Sequence, residues 1–265
     1  FSKDGKFQHP QIMLGLLVGE GGFPLGYDIF EGNTFEGKTL LPVLKGIQQR
    51  YGLGKPVVVA DAAMLSHKNL DALDREQYSF IVAARMRNEA QSVQEKILQC
   101  CAGLRDGQCI EMPHEGKRRM IVAYSDKRAA KDAHNRKRGL AKLRKQVSGG
   151  QLTKENLNNR GYNKFLKLTG EVLVEIDESK VEQAARWDGL KGYLTNTDLP
   201  PGAVIENYGQ LWQVEKAFRI SKTDLRIRPM YHRRRRRIEA HVLVAFVAYT
   251  RSEERRVGKE CRSRW

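Results

Sequence analysis

The apolar positions of the chain first fall into an unbroken run over residues 12–18, which reads as a buried strand. Residues 19–22 form a glycine-rich turn, and residues 24–30 return as the second strand of an antiparallel hairpin. Beyond the loop at 31–37 the period changes. Leu40, Leu41, Leu44 and Ile47 recur at helical spacing across 38–51, and Gly52 and Gly54 end the pattern. Residues 56–61 then predict a short, fully buried strand ending in Asp61, followed by a helix over 68–76 and a strand over 79–84. The predicted order is β-β-α-β-α-β. From Arg85 to Glu206 the pattern loosens into short strands, such as 120–124 and 171–176, around a very basic segment, so this stretch reads as an inserted subdomain. Ile238, Val242, Ala245, Phe246 and Tyr249 trace a further amphipathic helix.

Between insertion and last helix lies a clean helical pattern over 208–222. At 100° per residue from Tyr208, Leu211, Glu215, Arg219 and Lys222 fall within roughly 80° of one another, and Val214, Ala217, Phe218 and Leu225 make the apolar face beside them. A carboxylate is thereby held at the margin of a core, with cations one and two turns further on. An amphipathic surface helix carrying i,i+4 charges is the plain alternative.

Charge sharpens the picture. The 265 residues carry 47 Lys and Arg against 31 Asp and Glu, a net +16, which points to a polyanion such as nucleic acid. The longest apolar runs, 12–18 and 242–249, fall far short of the ~20 residues that span a bilayer. No signal peptide is visible, and four cysteines in a chain of this length make no disulfide framework, so the expected compartment is the reducing cytoplasm. Residues 126–145 hold nine Lys or Arg and two acids, and a second cluster covers 226–237. Aromatic residues are sparse around the first cluster, so contact with duplex backbone is expected rather than stacking on a single strand.

Three motifs invite chemistry. Gly32 to Thr39 fits the phosphate-loop pattern between a strand and a helix, although its strand belongs to a hairpin and Glu36 would sit inside the anion cradle. Asp61, at the carboxyl end of a buried strand, occupies the usual place of an active-site group in an open α/β sheet, or else caps a turn. Cys100, Cys101, Cys109 and His114 are badly spaced for a tetrahedral zinc and read as small buried thiols. His232 and His241 read as packing or phosphate-facing residues.

The spacing Tyr208-x2-Leu211-x3-Glu215-x6-Lys222 resembles the Tyr-x2-Arg-x3-Glu-x6-Lys signature of bacterial insertion-sequence transposases of the DDE class. Residues 57–62, with Asp61, look like the strand carrying that family's second aspartate. Further similarity lies in Ser2-Lys-Asp-Gly-Lys6, Glu31-Gly-Asn-Thr34, Lys38-Thr-Leu40, Trp187-Asp-Gly189, Ala217-Phe-Arg219 and Asp224-Leu-Arg-Ile-Arg-Pro229. The last fifteen residues, 251–265, resemble instead the translation of a sequencing adapter; setting them aside leaves +13 on the first 250.

The resemblance implies an α/β, ribonuclease H-like mixed sheet with flanking helices and an inserted α+β subdomain. In that frame residues 1–85 and 206–250 form the catalytic core, 86–205 the insertion and 251–265 an adapter-derived tail. It implies Asp61 and Glu215 as catalytic ligands of Mg²⁺ or Mn²⁺, with two ions about 4 Å apart clamping the scissile phosphate. Tyr208, Arg219 and Lys222 would support them, and Lys222, Arg226, Arg228, Arg233, Arg234, Arg235, Lys137, Arg138 and Lys142 would bind DNA. The implied partners are transposon-end and target DNA and a second copy in a synaptic complex, with a nucleoid-associated, cytoplasmic location and no membrane. Two departures stand out. Leu211 replaces the signature arginine, and the family's first catalytic aspartate belongs upstream of Phe1, so this fragment is expected to be inactive. A nucleotide hydrolase using residues 32–39 and a DNA-binding module without catalysis are the alternatives.

Overall fold

The computed structural model describes residues 11–19, 23–32, 36–52, 54–62, 66–149, 158, 161–169, 173–220, 223 and 227–262. In the first part of the chain β1 (Ile12–Val18) pairs antiparallel with β2 (Pro24–Glu31), with a bulge between Leu17 and Val18. The Gly19 amide donates to the Phe23 carbonyl at 2.7 Å and closes the hairpin. Helix α1 (Glu36–Tyr51) ends where Gly52 takes φ +60°, a left-handed turn that costs glycine nothing. Strand β3 (Val58–Ala60), helix α2 (His67–Arg75) and strand β4 (Phe80–Ala83) form a βαβ unit, Val58 to Ala60 lying parallel to Phe80 to Val82. Ser66 accepts from the Asn69 amide at 3.4 Å as the N-cap of α2.

The chain continues through α3 (Gln91–Cys100), β5 (Cys109–Pro113), β6 (Arg119–Tyr124) and α4 (Asp126–Ser148), then β7 (Leu166–Thr169), β8 (Leu173–Ile176), α5 (Glu178–Ala185) and β9 (Leu190–Thr195). Helices α6 (Pro201–Gly209), α7 (Leu211–Arg219) and α8 (Arg235–Arg262) follow. The principal sheet is five-stranded and mixed, in the order β3-β4-β9-β6-β5; β1–β2 and β7–β8 are separate two-stranded pairs. The predicted β-β-α-β-α-β order and the mixed α/β class are what is found.

Two compact units divide the chain, residues 1–82 with 196–265, and residues 83–195. The first buries Val58, Ala60, Leu73, Tyr78, Phe80, Ile81, Val204, Ala217, Val242 and Tyr249. Asn196 ties it together: its Oδ1 accepts from the Phe80 amide at 2.8 Å, and its Nδ2 donates to Asp74 at 2.7 Å and to the Tyr78 carbonyl at 3.0 Å. Three of the amide's four hydrogen-bonding positions are thereby satisfied. The second unit holds a core of its own, in which Leu140 and Leu143 of α4 pack on Phe165, Leu166 and Val174.

Three expectations need correction. Residues 56–61 are not a fully buried strand: only Val58–Ala60 is extended, and Val57 is 45% exposed. The basic segment within the loosely patterned insertion is a single 23-residue helix, α4, whose buried stripe is limited to Gly139, Leu140 and Leu143 and is therefore faint in the sequence. Cys101 is buried, but Cys100 is exposed. Residues 251–262, set aside in the sequence as an adapter-like tail, continue α8 to Arg262, and Glu253 is 4% exposed.

Candidate active site

Asp61 is the residue immediately after β3, at the carboxyl end of the parallel β3–β4 pair, and its side chain is exposed. The strand's own buried residues, Val58 and Ala60, face the core, so the chain leaves it with a polar group directed outward. Helix α6 packs against β3 through a segment that includes the fully buried Val204, and begins with Pro201, whose missing amide suits a first helical turn.

The expected single helix over 208–222 is broken at its start. Gly209 ends α6, Gln210 bonds back to the Asn207 carbonyl at 3.2 Å, and α7 restarts when the Gln213 amide donates to the Gln210 carbonyl at 2.9 Å. These i→i−3 bonds tighten the backbone at a glycine, the residue with least helical preference after proline. Tyr208 thus lies on the last turn of α6, half-buried, while Leu211, Glu215 and Arg219 share α7. Within α7 Ala217 is fully buried and Glu215 and Arg219 are exposed, as the helical stripe requires. Helix α7 packs on β1. Trp212 is 58% exposed, with the Lys216 ammonium 6.0 Å from its ring centre.

Lys222 and Arg226 lie outside the described residues. Arg228, Arg233, Arg234 and Arg235 are exposed, and Arg235 meets Glu239 one turn on at 2.8 Å, which raises the guanidinium above its ordinary value. Lys137, Arg138 and Lys142 are exposed along α4 in the second unit. His241 Nε2 stands 3.2 Å from the Ile227 carbonyl, and the His232 ring meets the His241 ring edge-on at 5.5 Å, a packing role for both. Two surface cavities of about 530 and 440 Å³ lie against α8, and neither is lined by Asp61 or Glu215. Of the phosphate-loop segment, residues 33–35 lie outside the described residues; the strand before it is antiparallel to β1.

The described residues contain no group of three or more His, Cys, Asp or Glu placed to hold a metal ion. Asp61 and Glu215 are exposed carboxylates on segments of one unit, and their hard oxygens suit Mg²⁺ or Mn²⁺ as part of a donor set.

A mixed sheet flanked by helices, with a carboxylate following a parallel strand and a helix packed beside that strand, is an α/β architecture consistent with the ribonuclease H-like class. The family model of the transposase DDE domain matches residues 2–251, and the chain belongs to that family. The family is one of transposases, enzymes that bind and recombine DNA, and enzymes of this kind use divalent metal ions. Comparison with curated proteins gave no match, and neither did comparison with solved structures. No helix among the described residues is long and apolar enough to cross a membrane.

Proposed function

We propose that this chain is the cleavage and strand-transfer core of an insertion-sequence transposase, with Asp61 and Glu215 as its metal-holding carboxylates. The observation that supports the reading is the packing of α6 on β3, which keeps the helical segment leading to Glu215 in the same unit as the strand ending at Asp61. Divalent cations held by these oxygens would neutralise the scissile phosphate and lower the pKa of the attacking hydroxyl. The chain's own residues do the positioning. Tyr208 and Lys222 contact phosphate beside the cut, and Arg219, one helical turn from Glu215, offers a cation in place of the signature arginine that Leu211 lacks. In cleavage, water forms a new bond to phosphorus as the P–O3′ bond breaks, which leaves a 5′-phosphate and frees a 3′-hydroxyl at the transposon end; in strand transfer, that hydroxyl forms a P–O bond to target DNA as the target's own P–O3′ bond breaks, and its proton passes to the released 3′-oxygen. A second copy of the chain completes the synaptic complex.

Metal-dependent cleavage of transposon-end duplex by the intact transposase tests this. Asp61→Ala and Glu215→Ala are each expected to lower the rate by at least about 100-fold, the scale of removing one group that stabilises developing charge, with duplex binding retained. Full cleavage by either variant would remove that residue from the site.

A further inference from the structure

The two carboxylates of the site stand on different supports within the first unit. Asp61 leaves β3, which β4 holds in parallel register, the Val58 amide donating to the Ser79 carbonyl at 2.8 Å; α6 packs on that strand. Glu215 stands on α7, which packs on β1 of the separate β1–β2 pair. Helix α8 covers β2, where the Tyr27 and Phe246 rings meet at 5.1 Å. Helices of nine residues are too short to be stable by themselves, so α6 and α7 each take their direction from the strand beneath. Between them the chain runs through Gly209 and Gln210.

Several features make that joint compliant. Asn207 Nδ2 donates to the Ala203 carbonyl at 2.7 Å, one turn back, where it competes with the helix's own amide. The amides of Gln210 and Gln213 reach three residues back rather than four. Gly209 gives up about 1 kcal/mol of helical preference relative to alanine. Neither backbone nor packing demands a glycine there: its φ is not left-handed, and a Cβ would meet nothing within 4 Å. What the glycine supplies is freedom of direction. Six residues along α7, Glu215 lies about 9 Å from the joint, so a turn of about 15° moves it about 2 Å. A divalent cation such as Mg²⁺ binds oxygen at about 2 Å with little tolerance, so a shift of that size decides whether the carboxylate is bound.

We infer that the α6–α7 joint is a hinge on which α7 swings Glu215 into reach of a divalent cation held at Asp61. The inference rests on the reading of both residues as metal-holding carboxylates and adds a moving part to it. The test uses the intact transposase with transposon-end duplex and Mn²⁺. Amide exchange over 209–213 is expected to slow about 10-fold when Mn²⁺ is added, with exchange in Val58–Ala60 unchanged. Gly209→Ala favours a continuous helix and holds α7 off the cation. It is expected to slow that exchange without metal and to raise the Mn²⁺ concentration that half-saturates cleavage about 10-fold, duplex affinity being unchanged. Adding Gln210→Gly to that variant returns freedom one residue on and is expected to restore the wild-type Mn²⁺ requirement. Exchange in the wild type that Mn²⁺ leaves unchanged overturns the inference by itself. So does a Gly209→Ala variant that melts at or above wild type and keeps the wild-type Mn²⁺ requirement. Either result leaves metal-dependent cleavage, and the transposase reading, intact. Full cleavage by Asp61→Ala or Glu215→Ala removes the site itself, and the hinge falls with it.

Discussion

Gly189 takes φ +81°, and a Cβ there would stand 2.5 Å from the Tyr124 ring and 2.9 Å from Ala129. Backbone strain and collision act together, so Gly189→Ala is expected to destabilise the protein by about 2 kcal/mol or more, measured by denaturant unfolding. Beside it, the Arg136–Asp188 pair is 17% and 15% exposed. Asp188→Ala leaves a shielded guanidinium without its fork and is expected to cost about 2–3 kcal/mol, somewhat less than breaking a fully buried pair. The Trp187-Asp-Gly189 motif thus has a local structural reason in this fold: a buried ring, an anchored carboxylate and a left-handed turn. The cysteines separate by environment. Burial, reinforced by Cys100, pushes the Cys101 thiol up to about 11, whereas Cys100 is exposed. Maleimide labelling at neutral pH, read by peptide mapping, is expected to modify Cys100 and spare Cys101 until the protein unfolds.

At the scale of elements, the joint between α6 and α7 is the feature to perturb. A Cβ at Gly209 would meet nothing within 4 Å, so Gly209→Ala is sterically free. It is expected to raise stability by about 0.5–1 kcal/mol through helix propensity. If the joint aims Glu215, cleavage falls at the same time; equal activity would show that the joint is passive. Helix α5 offers a pH readout. Asp177 caps it, accepting from the Ser179 hydroxyl at 2.8 Å and the Lys180 amide at 3.4 Å, and the Ser179 bond, with the Lys180 amide and ammonium, holds the carboxyl below its usual value. A depressed folded pKa means that the cap stabilises at neutral pH and that its contribution disappears as pH falls through the folded value. The melting difference between wild type and Asp177→Ala is therefore expected to be largest near neutrality and to vanish in acid.

At the scale of the whole molecule, the net charge of +16 determines how the protein meets DNA. Binding is expected to weaken steeply with salt in wild type and in Asp61→Ala alike, because phosphate neutralisation and metal holding are separate functions. The architecture was legible where burial is strong and local. The hairpin, the β3–α2–β4 unit and the apolar face of α8, with Val242, Ala245 and Tyr249 inward, appear at their expected positions. Helix α4 was not legible, because nine cations outweigh its short buried stripe and its core partners Phe165 and Val174 come from later in the chain. Strand position and helical stripe drew attention to Asp61 and Glu215, but their role as metal ligands was implied by the resemblance to the transposase signature.

The sequence by itself determined the order of elements, the basic character and the family motifs, since periodicity, composition and spacing are properties of neighbouring residues. Only the tertiary structure decided that Tyr208 and Glu215 belong to two helices, because a tightened turn at Gly209 leaves no trace in hydrophobic period. It also decided which charges stand together. Arg136 and Asp188 lie 52 residues apart, and only the packing of α4 against the turn before β9 pairs them.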